Sequence, residues 1–157
     1  MKPIYAVLMA VAVLATLQAS AQEASTPHAA KPGPASEPYQ PGLGEIMALQ
    51  QMRHIKLWFA GRAGNWPLAD YEIDELKEGF DEVNQRLGGD TVKKAVGARI
   101  AALEKAVEAK DRAAFANAFD QLTAGCNSCH QGLDHAFIVI QRPTSLPYSN
   151  QSFAAPK

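Results

Sequence analysis

The stretch Cys126-Asn127-Ser128-Cys129-His130 contains both cysteines of the chain and a histidine directly after the second. It closes a run in which Phe115, Phe119 and Leu122 recur at steps of three and four, and Cys126, Cys129 and His130 continue the same rhythm. The spacing predicts an amphipathic helix whose core face runs into the motif. C-x-x-C-H is the attachment pattern for c-type haem. Two thiols two residues apart reach the two vinyl groups on one edge of the ring, and the next residue then lies under the iron. A disulfide between the cysteines would leave His130 without a role. A structural zinc site needs four ligands, usually as two separated pairs, and the chain has no second pair. A thioredoxin-like redox motif follows a strand, and nothing nearby reads as one.

Working outward, three more helical patterns precede this one. Asp90 or Thr91 opens the nearest, with a stripe of Val92, Val96, Ile100, Leu103 and Val107; Glu104 and Glu108 lie off the stripe. The short turn at Lys110-Asp111 makes it an antiparallel neighbour of the last helix. Before it, Asn65-Trp66-Pro67 is a start signal, with Asn as N-cap and Pro in the first turn. That helix runs to about Leu87 on a stripe of Ile73, Leu76, Phe80, Val83 and Leu87, and Gly88-Gly89 stops it. Asp70, Glu72, Asp74 and Glu75 crowd its early turns, where negative charge suits the helix dipole. The first helix spans about Leu43 to Ala60, with Gly61 as its terminator and 61–65 as a turn. It is apolar on more than one face, which suits burial or contact with a cofactor.

Past His130, Phe137-Ile138-Val139-Ile140 is apolar, while Pro143 and Pro147 forbid a long helix. This segment is expected to pack over the bundle or the edge of the haem; as a strand it would have no evident partner. At the other end, Met1-Lys2, the apolar run Ile4 to Leu17 and Gln18-Ala19-Ser20-Ala21 form a signal-peptide pattern with cleavage after Ala21. Pro27, Pro32, Pro34 and Pro38 then mark an extended linker, and His28 within it is a solvated bystander. The expected organisation is therefore 1–21 signal peptide, 22–40 linker, 41–141 haem-binding bundle and 142–157 tail. The formal charge of −1 points to neither nucleic acid nor an anionic membrane as partner.

An exported chain of four amphipathic helices with C-x-x-C-H near the end of the last resembles the class II cytochromes c, cytochrome c-prime and its low-spin relatives. The resemblance covers about Leu43 to His135, and its specific part is Cys126 to His130. It implies an all-α antiparallel four-helix bundle carrying one haem c, bonded to Cys126 and Cys129, with His130 as proximal iron ligand. The family's distal residue comes from the early part of helix one. That position falls to Met47, ahead of His54, which lies about 10 Å further along the axis. Arg53, Lys56 and Arg62 are candidates to pair with the haem propionates, and Trp58 and Trp66 are expected to be packing residues against or near the haem. The expected function is a periplasmic electron carrier that meets redox partner proteins. The alternative is a five-coordinate haem protein binding nitric oxide or carbon monoxide. An enzymatic role such as a peroxidase lacks a clear distal acid–base pair. No stable membrane insertion is expected, and a homodimer is compatible with the reading.

Overall fold

In a computed structural model, residues 38–157 are described. The expected signal segment and all but the end of the linker lie outside these residues. Tyr39–Lys157 form one compact unit. It contains four helices: α1 Leu43–Ala63, α2 Trp66–Leu87, α3 Thr91–Glu108 and α4 Arg112–Gly132. There is no strand among the described residues. Each helix packs on the next in sequence and α1 also packs on α4, giving a four-membered bundle. The links at 64–65, 88–90 and 109–111 are so short that each helix must run back along its predecessor.

Local chemistry sets the ends of the helices. Gly42 N–H donates to Glu45 Oε2 at 2.8 Å, which starts α1. Asn65 Oδ1 accepts from Leu68 N–H at 3.3 Å and Pro67 sits in the first turn of α2, as its start signal predicts. Asp111 Oδ1 accepts from Ala113 and Ala114 N–H at 2.9 and 3.0 Å, capping α4. At α3 the side chain of Asp90 makes no cap. Asn84 on α2 supplies the acceptor instead, taking the Val92 N–H at 3.0 Å.

The end of α1 differs from expectation. The helix passes through Gly61 and stops at Gly64, whose φ of 76° is the left-handed C-cap that glycine adopts freely. Gly61 has a different job, because a Cβ there would stand 2.2 Å from the Phe115 ring. Its missing side chain lets α4 press an aromatic ring onto the α1 backbone.

The predicted stripes of α3 and α4 are buried as far as Leu122, and so is that of α2 as far as Val83. Phe115, Phe119, Leu57, Ile73, Leu76, Leu103 and Leu122 are the largest wholly buried apolar side chains. Trp58 lies among Phe115 and Phe119, with centroids at 6.3 and 5.0 Å, and Trp66 meets Phe115 edge-on. This aromatic cluster fills the half of the core that holds the α1–α2 turn. The tail packs there as well. Phe153 is buried against Phe59, Asn65 Nδ2 donates to Ala154 O at 2.9 Å, and Arg142 lies over the Trp58 ring at 4.3 Å while pairing with Asp120.

The other half is built differently. Leu87, at the end of the α2 stripe, is 37 % exposed. It lines a cavity there rather than a filled core. No helix among the described residues is long and apolar enough to cross a membrane.

Candidate cofactor site

The cavity holds about 330 Å³, within the range of about 300–1,000 Å³ usual for cofactor and small-molecule sites. All four helices contribute at one end of the bundle: the start of α1, the end of α2, the start of α3 and the end of α4. Antiparallel neighbours bring those four ends together. Cys126, Cys129 and His130 line it from α4, Met47 and His54 from α1, and Ile138 and Ile140 from the segment beyond α4. All five expected site residues therefore share one cavity. Trp58 and Trp66 do not line it; both are packing residues, as expected, in the aromatic cluster rather than at the cavity.

The two cysteines are free thiols, each half-buried. Burial, with a smaller push from Cys129, raises the Cys126 thiol to about 11, and burial raises Cys129 as well. Reactive and redox-exchanging cysteines show the opposite, a lowered value in an electropositive setting. Burial thus keeps both sulfurs as neutral thiols near neutral pH. The described residues hold no group of three or more His, Cys, Asp or Glu side chains placed to bind a metal ion directly. A zinc site made of side chains alone has no ligand set here.

His130 is oriented from behind. Its Nδ1 lies 2.9 Å from the carbonyl oxygen of Ile138. A carbonyl only accepts, so Nδ1 carries the hydrogen and, in the neutral ring, Nε2 keeps its lone pair. A hydrogen bond of this kind fixes the tautomer and raises the basicity of a ligating imidazole. Asn127, between the cysteines, pairs with both backbone groups of Ile140: Nδ2–H donates to its oxygen at 2.8 Å and Oδ1 accepts its N–H at 2.7 Å. Beyond the turn contact of Ile138 N–H with His135 O, the apolar 137–140 segment thus finds its hydrogen bonds on side chains of α4, with no strand beside it. These partners carry no local signal, because Asn127 reads as a mere spacer between cysteines.

His54 takes a different part. It is buried on the core stripe of α1, with its ring 4.3 Å from Phe119. Thr123 O–H donates to Phe119 O at 3.0 Å, so its oxygen accepts from His54 Nε2–H at 2.8 Å. The nitrogen that most readily ligates a metal is therefore engaged with Thr123. Met47 is half-buried on the cavity wall, without a competing partner for its sulfur among the hydrogen bonds.

Burial also lowers His54 from its ordinary 6.5 to about 4. The unfolded chain takes up this proton first as the pH falls, so the native state is penalised only on acidification. Stability from this group should be level above about pH 6.5 and drop between there and about pH 4, by on the order of 3 kcal/mol at about 1.36 kcal/mol per unit. Denaturant midpoints followed against pH should show that limb, and His54→Gln should flatten it. The same slope in parent and variant would contradict the assignment.

Two of the three expected basic partners, Arg53 and Lys56, are occupied, while Arg62 is exposed. Arg53 pairs with Glu75 at 2.7 Å and donates to Gln50 Oε1 at 2.9 Å. Lys56 pairs with Glu72, which is wholly buried. Neither residue is free for a propionate, and neither lines the cavity. The acids Glu72 and Glu75 likewise serve these cross-helix pairs and lie beyond the first turn of α2, so the dipole reading of them is replaced.

No protein-family model, no curated protein and no solved structure matches this chain.

Proposed function

We propose that this chain is a c-type cytochrome similar to those of class II, holding one haem covalently on Cys126 and Cys129 and carrying electrons in the periplasm. One observation carries the reading: both cysteines and His130 face a single apolar cavity, from the other side of which Met47 looks in. The residues fit the group. The walls are mainly apolar, the two sulfurs lie one helical turn apart, and His130 is held with Nε2 available. When bound, the haem supplies a one-electron iron couple.

The side chains have separate tasks in this reading. Cys126 and Cys129 fix the ring to α4, and His130 gives the iron a nitrogen. Met47 offers a thioether from α1, which favours the reduced metal relative to a second imidazole. Leu43, Phe80, Val83, Leu87, Val92 and Val96 keep water from the interior face of the ring. No carboxylate lines the cavity, His54 is tied to Thr123 and His135 Nδ1 is held by Leu133 O, so the wall carries no histidine–carboxylate pair of the kind a peroxidase needs. Transfer of electrons asks only that the ring and its ligands stay put, and a packed bundle supplies that. Export is supported by the apolar run at Ile4 to Leu17 and the Ala-Ser-Ala that follows it.

Acid–acetone extraction of the exported protein is the direct test. The haem should stay with the polypeptide, and the intact mass should exceed the mature chain by one haem. Haem that extracts freely, or a mass showing a disulfide alone, would overturn the proposal.

A further inference from the structure

We infer that Asn127 is a positioning residue: by clamping Ile140 it straps the 137–140 segment onto α4, and the strap in turn holds the imidazole of His130. This rests on the haem reading and extends it from the ligand to what orients the ligand.

The chain reverses immediately after α4. Leu133 N–H donates to Cys129 O at 3.1 Å, His135 N–H to His130 O at 2.7 Å and Ile138 N–H to His135 O at 2.9 Å, with Asp134 at a φ of 62° where the chain turns back. From Phe137 onward the residues alternate. Phe137 and Val139 point out, 80 % and 71 % exposed, while Ile138 and Ile140 line the cavity. Alternation of this kind is the geometry of extended backbone. An extended segment needs partners for its N–H and C=O groups. Asn127 supplies a donor and an acceptor to Ile140, much as a neighbouring strand would, and His130 supplies a donor to Ile138.

The two contacts are geometrically linked. Asn127 and His130 are three apart on a helix and share a face. Ile138 and Ile140 are two apart on extended chain and also share a face. Holding Ile140 therefore delivers the Ile138 carbonyl to Nδ1. Only asparagine fits the role at this length. Aspartate has no N–H for the Ile140 oxygen, and leucine has neither group. Since the Nδ1 hydrogen bond sets the tautomer and basicity of a ligating histidine, Asn127 acts on the metal through two intermediaries, without touching it.

The test compares the holoprotein with Asn127→Leu, which leaves both cysteines and His130 intact. Proton NMR reads two exchangeable protons, the Ile140 amide and the His130 Nδ1–H. Both should exchange with solvent about thirty-fold faster in the variant, the factor that two ordinary hydrogen bonds are worth. Asn127→Asp keeps the bond from the Ile140 N–H and should fall between parent and Asn127→Leu; it also serves if the leucine variant does not fold. Unchanged exchange of both protons in haem-bearing Asn127→Leu or Asn127→Asp would overturn the inference. Faster exchange at Ile140 with no change at His130 would overturn the link to the imidazole. The cytochrome reading fails separately, if the parent itself carries no bonded haem; the Ile140 amide needs no haem and would still support or refute the clamp.

Discussion

With the proposed haem bound, Met47→Ala should convert its iron from six-coordinate and low-spin to five-coordinate and high-spin. Met47 is the α1 sulfur that lines the same cavity as His130, and it has no competing partner among the hydrogen bonds. The oxidised parent should show the weak sulfur-to-iron band at the red end of its spectrum. The variant should lose that band and bind carbon monoxide when reduced. His54→Ala should leave the band in place, because His54 Nε2 is committed to Thr123. A parent that is already high-spin and takes up carbon monoxide would make Met47 a packing residue and favour gas binding over electron transfer. Conversion by His54→Ala would mean that the Thr123 hydrogen bond gives way to the metal.

Lys56→Met should cost about 3–5 kcal/mol of stability near neutral pH, since it strips the partner from a buried charge. Glu72 is wholly buried, Lys56 Nζ pairs with its Oε1, and its Oε2 has no hydrogen-bond partner. Burial pushes the Glu72 carboxyl above the usual carboxylate range against the pull of Lys56, with Glu75 adding to the push and Arg53 opposing it. Removing Lys56 raises it further. A group raised in the native state weakens that state as the pH climbs past its unfolded value. The loss in Lys56→Met should therefore be largest at neutral to alkaline pH. It should shrink below about pH 4.5, where both states are protonated. Chemical denaturation at several pH values reads this directly. The double variant Lys56→Met/Glu72→Leu should recover most of the loss, because an apolar pair of similar volume replaces an ion pair with little penalty. A pH-independent loss, or no recovery in the double variant, would show that Lys56 acts through packing alone.

The parts that were legible in the sequence are those whose signal is local. The stripes of α3 and α4 could be read because nearly every buried position on them is apolar. The Asn65-Trp66-Pro67 start and the Gly88-Gly89 stop needed no knowledge of neighbours. On α1 the pattern blurs for a physical reason. Gln50 and His54 occupy its core face while Leu49 is exposed, so hydropathy alone misassigns the face. Gln50 is tolerated there because its Nε2–H reaches Leu76 O at 2.7 Å and its oxygen takes Arg53. Glu72 likewise read as a dipole acid, though its place four residues before Leu76 puts it on the stripe. The motif residues could be found because Cys126 to His130 are neighbours in the chain. Thr123 and Asn127 could not, since their roles exist only once α1 and the tail have folded against α4.

The joining of Asn65 to Ala154, 89 positions apart, also bears on the order in which the molecule closes. The four helices are linked by short turns and make their main contacts with near neighbours, so they can assemble early. The tail closes the largest loop in the domain, and loop closure grows costlier with length. A chain made from its N-terminus also completes all four helices before Phe153 is added to cover Phe59. Until then the bundle stands without its wrapping. For the cavity, Ile138 and Ile140 provide the wall. Were a group to be bonded to the two sulfurs, the way in would be widest before the 137–140 segment folds onto α4.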